Sequence, residues 1–516
     1  MSRRTPGVTR LLAALVVVAG LGGALVSPSS AASSPTTPPS AASGSTGPVT
    51  AIGALHSDGR FARDAQGRAV ILHGLFGVWK TATWDPTDSD TDPAGFTGTD
   101  AGHVADLGFD LFRLAYFWQG LEPTEGQISG RYLADIARVE HELAIRHVHV
   151  VIDSHQDMYS SVFSGDGFPA WAVHDDGIAL VTDKGFPLNY FTPTVQRTFT
   201  NFWNDDQGVL DAYDHQLAVV AARFAHDPMV LGYDLFNEPF SGDNQATCNS
   251  AAGCPGWDAT TLSTDEAGMA AAVRTASANQ LTFYEPQIFA NWATPNGLVG
   301  DASTGPNGLS FHDQCTARAY YQVTHDRAGA LALEAQVCPA QNAGVMANAL
   351  ATSARVGGLA LMTEVAAATD DDYGGLECIL ELADDNMIGW TYGLSWSSGE
   401  LRHLDPTKQA VLSRAYPQAV AGDPTSYSFD PRTGDFALRY TTAAGIGGRT
   451  VVWLPVAQQY PDGYTVSVTG AHVVSSPGAT SLVLANTKGV HPVVVTVTPT
   501  AGPTAVTRPA LAACPS

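Results

Sequence analysis

Two glutamates stand where short apolar runs of this sequence end. Glu238 follows Leu231–Phe236 in the run Asn237-Glu238-Pro239, and Glu364 closes Gly358–Glu364. Two carboxyl groups facing each other across a cleft can cut a glycosidic bond. One donates a proton to the leaving oxygen, and the other attacks or activates water. Further polar residues sit at the ends of neighbouring apolar runs: Lys80, Arg113, Asp153-Ser-His155-Gln-Asp157, His312 and Trp390. Asn237 suits a sugar 2-hydroxyl, while Lys80, His155 and Asp157 suit other hydroxyls. Arg113 suits a bidentate hold on the attacking carboxylate, and Trp390 a stacking platform for a pyranose ring. His312 is a weaker candidate for the same pocket. Trp171, in Gly165-Asp-Gly-Phe-Pro-Ala-Trp171, reads equally as a binding-loop aromatic or a loop anchor. Glu285, before Pro286, is the rival carboxylate and reads as support. A Glu-Pro pair alone is also a helix-entry signal, because Pro favours the first helical turn. Its place at the end of a β-branched run is what favours chemistry.

Such residues need elements that bring them to one place. Candidate strands lie at Ala69–Gly77, Asp110–Tyr116, Val148–Ser154, Leu231–Phe236, Thr282–Phe289, Leu309–His312, Gly358–Glu364 and Met387–Tyr392. Helical patterns lie between them, at Arg131–Arg146, Thr194–His226, Asp265–Asn279, Gly329–Val356 and Asp372–Asn386. Eight strands alternating with helices predict a (β/α)8 TIM barrel, whose sites form at the C-terminal strand ends. No Gly-rich dinucleotide fingerprint follows the first strand, which disfavours an open doubly wound sheet. After about residue 415 the pattern becomes alternating. Runs at Tyr427–Leu438, Thr450–Leu454, Thr465–Val468, Ser481–Leu484 and Val490–Thr498, separated by turn signals, predict a C-terminal antiparallel β-sandwich. The expected division is 1–32 signal peptide, 33–48 linker, 49–415 barrel and 416–516 sandwich. The sandwich, which has no clustered carboxylates, is expected to pack on the barrel and help present it to lipid surfaces.

Composition narrows the function. The chain has 516 residues, 50 acidic against 26 basic, with a formal net charge of −24. That balance opposes nucleic-acid binding, which relies on clustered Lys and Arg at phosphates. It also opposes electrostatic docking on anionic lipid. Arg3, Arg4 and Arg10 precede the apolar run Leu11–Val26, and small residues follow at 29–33. This is the pattern of a secretory signal peptide, so the protein is expected to be secreted, with no transmembrane span in the mature chain. Residues 33–48, made of Ser, Thr, Pro, Ala and Gly with no charge, form a stalk-like linker. The six cysteines suit export. Cys248 with Cys254 and Cys315 with Cys338 could each close a loop, leaving Cys378 and Cys514, although sequence alone does not fix the connectivity. No C-x-x-C or His-Glu-x-x-His occurs, and neither a structural metal nor a cofactor is expected.

These residues resemble glycoside hydrolase family 5, and within it the endoglycoceramidases. The likeness runs over about 50–400 and is carried by Gly74-Leu-Phe-Gly-Val-Trp-Lys80, Phe112-Arg113-Leu114, Asp153-Ser-His-Gln-Asp-Met-Tyr159, Gly165–Trp171, Gly232-Tyr-Asp-Leu-Phe-Asn-Glu-Pro239 and Met362-Thr-Glu-Val365. The resemblance implies Glu238 as acid/base and Glu364 as nucleophile of a retaining double displacement. It implies Lys80, His155, Asp157 and Asn237 as sugar-binding residues, Trp390 as the stacking ring, and a glycosphingolipid at a membrane or micelle surface as substrate. Two positions depart from the family pattern. Where the superfamily often has His-x-Tyr, with the Tyr touching the nucleophile, this chain has His312-Asp-Gln314. Where a second Trp usually follows the first closely, it has Tyr392-Gly393, with the next Trp at Trp396. Both positions are expected to face the sugar, Gln314 as a contact residue, and they open the galactosylceramide-preferring subgroup as an expectation. A ceramide aglycone calls for an apolar groove, with Phe163, Phe168, Trp171 and the 240–257 loop as candidate walls. The alternatives are a polysaccharide-cleaving β-glucanase of the same family and a non-catalytic glycolipid-binding protein on a degenerate barrel. A monomer is the expected state.

Overall fold

A computed structural model describes residues 52–80, 83–87, 95–395, 401, 404–500 and 514. The expected signal peptide and linker, and Trp396, lie outside the described residues. Three short N-terminal strands, β1 (His56–Ser57), β2 (Ala62–Arg63) and β3 (Ala69–Val70), precede the barrel. The barrel strands are β4 (His73–Val78), β5 (Leu111–Tyr116), β6 (His149–Ser154), β7 (Val230–Asp234), β8 (Leu281–Tyr284), β9 (Asn307–Gln314), β10 (Leu359–Ala366) and β11 (Gly389–Ser395). All neighbours pair in parallel, and β11 against β4 closes the barrel. β4 through β8 are buried along almost their whole length. Burial on both faces is why these strands read as continuous apolar runs rather than alternating ones.

The helices fall close to their expected places, with one difference. Thr194–His226 is not one helix but two, Pro193–Trp203 and Val209–Phe224. Asp205 and Gly208 between them take left-handed backbone (φ 52° and 79°), which a continuous helix cannot contain.

The C-terminal strands are β12 (Tyr416–Val420), β13 (Asp423–Asp430), β14 (Asp435–Thr441), β15 (Thr450–Trp453), β16 (Tyr464–Thr469), β17 (Ala471–Val473), β18 (Ser481–Asn486) and β19 (Pro492–Pro499). They form two antiparallel sheets, β1-β2-β3-β12-β15-β18-β17 and β13-β14-β19-β16. Phe429, Phe436, Leu438, Val452, Leu484, Val493 and Val495 fill the space between them. Two expectations are corrected. Tyr427–Leu438 is a hairpin, because Gly434 at φ 79° turns the chain between β13 and β14. The barrel domain also does not begin at residue 49. β3 pairs with β12, so the first described strands belong to the sandwich, and the barrel begins at His73.

The sandwich is mounted on the N-terminal ends of the barrel strands. The His73 ring stacks on Tyr416 at 3.9 Å, and the Tyr416 hydroxyl donates to the Gly108 carbonyl at 2.7 Å. Tyr427 donates to Asp384 at 2.7 Å. The fully buried Arg414 donates to Asp384 from Nε at 2.8 Å and to the Phe429 carbonyl at 3.1 Å. These contacts lie at the opposite end of the barrel from Glu238 and Glu364, so the sandwich does not lie alongside that rim. Disulfides join Cys248 to Cys254, Cys315 to Cys338 and Cys378 to Cys514; the last ties the helix Tyr373–Asn386 to the end of the chain.

Candidate active site

The floor of the site is a buried arginine. Arg113, on β5, points into the barrel interior, where its Nη2 lies 3.0 Å from Asp153, 2.8 Å from Asp234 and 2.8 Å from the Asn237 side-chain oxygen. Its Nη1 lies 3.6 Å from Glu364 Oε2, an ion-pair distance and not the expected bidentate grip. Burial opposes its charge, but the surrounding carboxylates more than offset this and raise its pKa. Arg113 therefore supplies a permanent positive charge beneath the cleft, with its forked donors committed to β6, β7 and Asn237.

Glu238 lies just past the end of β7. Its backbone is left-handed, φ 47°. A non-glycine residue there costs on the order of 1–3 kcal/mol and needs surroundings that impose it. Glu285 accepts the Glu238 N–H at 2.8 Å, and Gln156 donates its side-chain amide to the carbonyls of Asn237 and Glu238 at 2.8 and 3.1 Å. The rival carboxylate Glu285 is thus a buried backbone holder. The Glu238 carboxyl accepts from Asn291 at 2.6 Å and sits 2.9 Å from His312 Nδ1. Burial pushes it up to about 7, with Asn291, Arg113 and Lys80 opposing. Burial lowers His312 to about 4, so the ring is neutral. His312 touches Glu238 from beneath and does not line the cleft.

Glu364 projects from β10, opposite His312 in the β9–β10 register. It accepts from Gln314 Nε2 at 2.6 Å. Its side chain is 22% exposed against 10% for Glu238, so it is the wetter of the two. Burial raises its pKa as well, while Arg113 and Lys80 oppose this. The two carboxyls therefore differ in kind. Glu364 lies within ion-pair distance of a guanidinium that favours its charged form, whereas Glu238 contacts the neutral side chains of Asn291 and His312 in a drier position. Separating two carboxyls in this way divides acid from base or nucleophile.

Both carboxyls open on one cleft of about 560 Å3, lined also by Lys80, His155, Asp157, Asn237 and Gln314. His155 Nδ1 lies 2.9 Å from Asp153, and burial keeps the ring neutral. Asn237 is fixed at both ends of its amide, because Arg113 donates to its oxygen and its Nδ2 donates to the Gln156 carbonyl at 2.9 Å. The Lys80 ammonium bonds Asp157 and lies 3.4 Å from Asp166. His155, Asp157 and Asp166 have atoms within 4.8 Å of one another, the geometry of a cation site, and the Lys80 ammonium supplies a positive charge there. On the far wall stand Tyr392 and Gly393. A Cβ at Gly393 would meet only Phe76, at 3.5 Å, so the wall has room there.

Two further expected contact residues are placed elsewhere. Trp390 is completely buried against His73 and Phe109, on the outer face of its strand, while its neighbour Thr391 reaches the Thr363 carbonyl inside the barrel. It cannot stack under a sugar in the cleft. Trp171 packs edge-on to Trp118 at 5.0 Å and donates its indole N–H to the Glu122 carbonyl at 2.9 Å, as a loop anchor. Gln314 lines the cleft, but its amide is spent on Glu364. Asn291, Gln156 and Asp234 join the site without being candidates by residue type and spacing. Gln156 lies inside the His-Gln-Asp motif, whereas Asn291, in a 3-10 turn, carries no sequence signal.

A narrow apolar groove, with only about 40 Å3 of open space, adjoins the cleft on the Glu238 side, sharing Phe186, Glu238, Gln314 and Gln322 with it. Its walls come from Phe186–Phe191, Ile288–Trp292 and Ala319–Val323. Phe163, Phe168 and Trp171 are not among them. Phe163 and Phe168 are buried in the aromatic core, and of the 240–257 loop only Phe240 contributes.

A family model described as Cellulase (glycosyl hydrolase family 5) matches residues 80–400, and one described as Glycoside hydrolase family 5 C-terminal domain matches 414–498. Endoglycoceramidase I of Rhodococcus hoagii (strain 103S) is 32% identical over 438 residues, 84% of this chain and 86% of that protein. An endoglycoceramidase of Cyanea nozakii is 26% identical over 78% of this chain and 84% of its own length. Among solved structures, the ganglioside GM3 complex of endo-glycoceramidase II from Rhodococcus sp. superposes with a TM-score of 0.68, 26% identity and coverage of 86% of this chain and 99% of that one. An endogalactoceramidase, at 21% identity and a TM-score of 0.63, shares the fold.

Proposed function

The chain belongs to glycoside hydrolase family 5, and from that premise we propose that it is a secreted, retaining endo-glycosidase that cleaves the β-bond between glycan and ceramide in glycosphingolipids. Glu364 attacks the anomeric carbon while Glu238, protonated, gives its proton to the ceramide oxygen. Water then enters, Glu238 takes its proton, and the glycan leaves Glu364 with its original configuration. Retention of this kind needs the two carboxyls about 5–5.5 Å apart. The observation that carries the reading is the apolar groove that begins at Glu238. The acid/base stands on the leaving-group side, and the apolar walls there suit the start of a lipid leaving group, whose chains would extend beyond the narrow groove. A β-glucanase would need sugar-stacking aromatics on both sides of the carboxyls. The N-terminal Arg-and-apolar pattern and the three disulfides support secretion.

Lys80, His155, Asp157 and Asn237 are proposed to hold sugar hydroxyls, and Gln314 to take the place of the tyrosine at the nucleophile. The open wall at Gly393 supports a finer proposal, that galactosyl-linked ceramides are cleaved at least as well as glucosyl-linked ones. Incubating the protein with matched fluorescent galactosyl- and glucosyl-ceramide glycans beside a cellulose-type oligosaccharide tests all of this. Release of intact glycan and ceramide, with the β-anomer formed first by NMR, is expected. Cleavage of the cellulose-type glycan alone would make the enzyme a glucanase, and binding without cleavage would make it a lectin-like protein.

A further inference from the structure

The segment 176–188 has a property that the catalytic reading does not use. It carries two of the exposed large apolar side chains, Leu180 at 53% and Phe186 at 45% exposure. Single exposed apolar residues are ordinary, but these two share one short loop, and Phe186 is also a wall of both the catalytic cleft and the apolar groove. The loop base is pinned. The buried Asn189 donates to the carbonyls of Phe163 at 2.9 Å and Thr182 at 3.3 Å, Thr194 donates to the Ala179 carbonyl at 2.8 Å, and Arg197 pairs with Asp176 at 3.0 Å. A tip held at its base and left greasy at its crest contributes nothing to the fold by its exposure. Through Phe186 its crest meets the recess proposed to receive the lipid.

We propose that this loop is the element that meets the membrane: Leu180 and Phe186 enter the headgroup boundary of a neutral, zwitterionic bilayer and set the groove mouth against it. The proposal rests on the ceramide reading of the groove. Insertion of apolar side chains at that depth is the mode of interfacial anchors. Charge selects the neutral surface. The loop carries Asp183 beside Lys184, with Asp175 at its edge and Asp176 paired to Arg197, and the chain as a whole has net charge −24, so an anionic surface does not attract it. The sandwich, mounted at the far end of the barrel, takes no part in the contact.

The test uses the full chain and phosphatidylcholine vesicles without glycolipid, read by co-sedimentation. Leu180 lines neither the cleft nor the groove. Leu180→Asp is expected to lower vesicle partitioning by roughly tenfold, the order expected when one leucine is withheld from apolar surroundings. Hydrolysis of glycolipid embedded in the same vesicles should fall in parallel, while hydrolysis of a water-soluble aryl β-glycoside stays at the wild-type rate and reports an intact fold. Leu180→Trp, a milder change, should blue-shift its fluorescence on vesicle addition. Replacing part of the phosphatidylcholine with phosphatidylserine should weaken binding at low salt, with recovery as salt is added. Unchanged partitioning of Leu180→Asp, an unshifted Leu180→Trp spectrum, or tighter binding to the anionic vesicles would each overturn the proposal. Wild-type protein that binds vesicles but cleaves no glycolipid even in detergent would instead strike the catalytic reading and leave the docking element standing.

Discussion

Two fully buried arginines at opposite ends of the barrel make the same kind of ion cluster and put it to different uses. Arg414, at the N-terminal end, gathers Asp384 and Glu377 and a sandwich carbonyl, and its donors all end on protein acceptors. Arg113, near the C-terminal end, gathers Asp153 and Asp234 in the same way, but leaves one nitrogen 3.6 Å from a glutamate that opens on a cleft. In both clusters burial raises the carboxyl pKa values and the arginine opposes it. The lesson is that a perturbed carboxyl is no sign of catalysis by itself. Glu377 is pushed to about 7, as Glu238 is, yet it faces no cleft and only joins two domains. Access and the partner's unspent valence separate a site from a rivet.

The sharpest break of this comparison is Glu364→Gln. Loss of the nucleophile should cut kcat by roughly 10^4-fold or more on every substrate, with thermal stability little changed. A variant with near-normal turnover would show that Glu364 is not the nucleophile. Glu238→Gln should lower kcat/KM by roughly 10^2–10^4-fold on glycolipid and far less on aryl glycosides with good leaving groups, whose first step needs no proton. The wild-type rate should fall as pH rises through about 7, because Glu238 must carry its proton to act as acid and its pKa lies there. That basic limb should be missing from the aryl-glycoside profile. A limb that persists in Glu238→Gln would assign it to another group.

At the other end, Arg414→Met should cost about 3–5 kcal/mol of stability in denaturant melts, because Asp384 and Glu377 are left buried and unpaired. The folded fraction should keep kcat/KM within about twofold, since nothing of that cluster reaches the cleft. A selective loss of turnover would mean that the two ends are coupled. The smallest effect is expected at Trp171→Phe. It removes one indole hydrogen bond worth about 1 kcal/mol and should leave kcat/KM on soluble aryl glycosides unchanged. A tenfold rise in KM would restore Trp171 to the binding surface.

The sequence determined by itself where the strands lie and which carboxyls end them. A barrel strand is buried on both faces, so it appears as a short apolar run, and chain order alone puts its C-terminal residue on the catalytic rim. Glu238, Glu364, Lys80, His155, Asp157 and Asn237 were legible for that reason. Tertiary structure decided what each side chain faces. Successive residues of a strand point to opposite sides, so Thr391 reaches the interior and Trp390, one position earlier, is turned outward onto His73. A bulge between Met362 and Glu364 in the β9–β10 pairing shifts the register at the nucleophile, and no propensity announces it. The apolar groove was beyond reach for a related reason. Its walls come from three segments well apart in the chain, around 186–191, 288–292 and 319–323, and only closure of the barrel brings them to the side of Glu238.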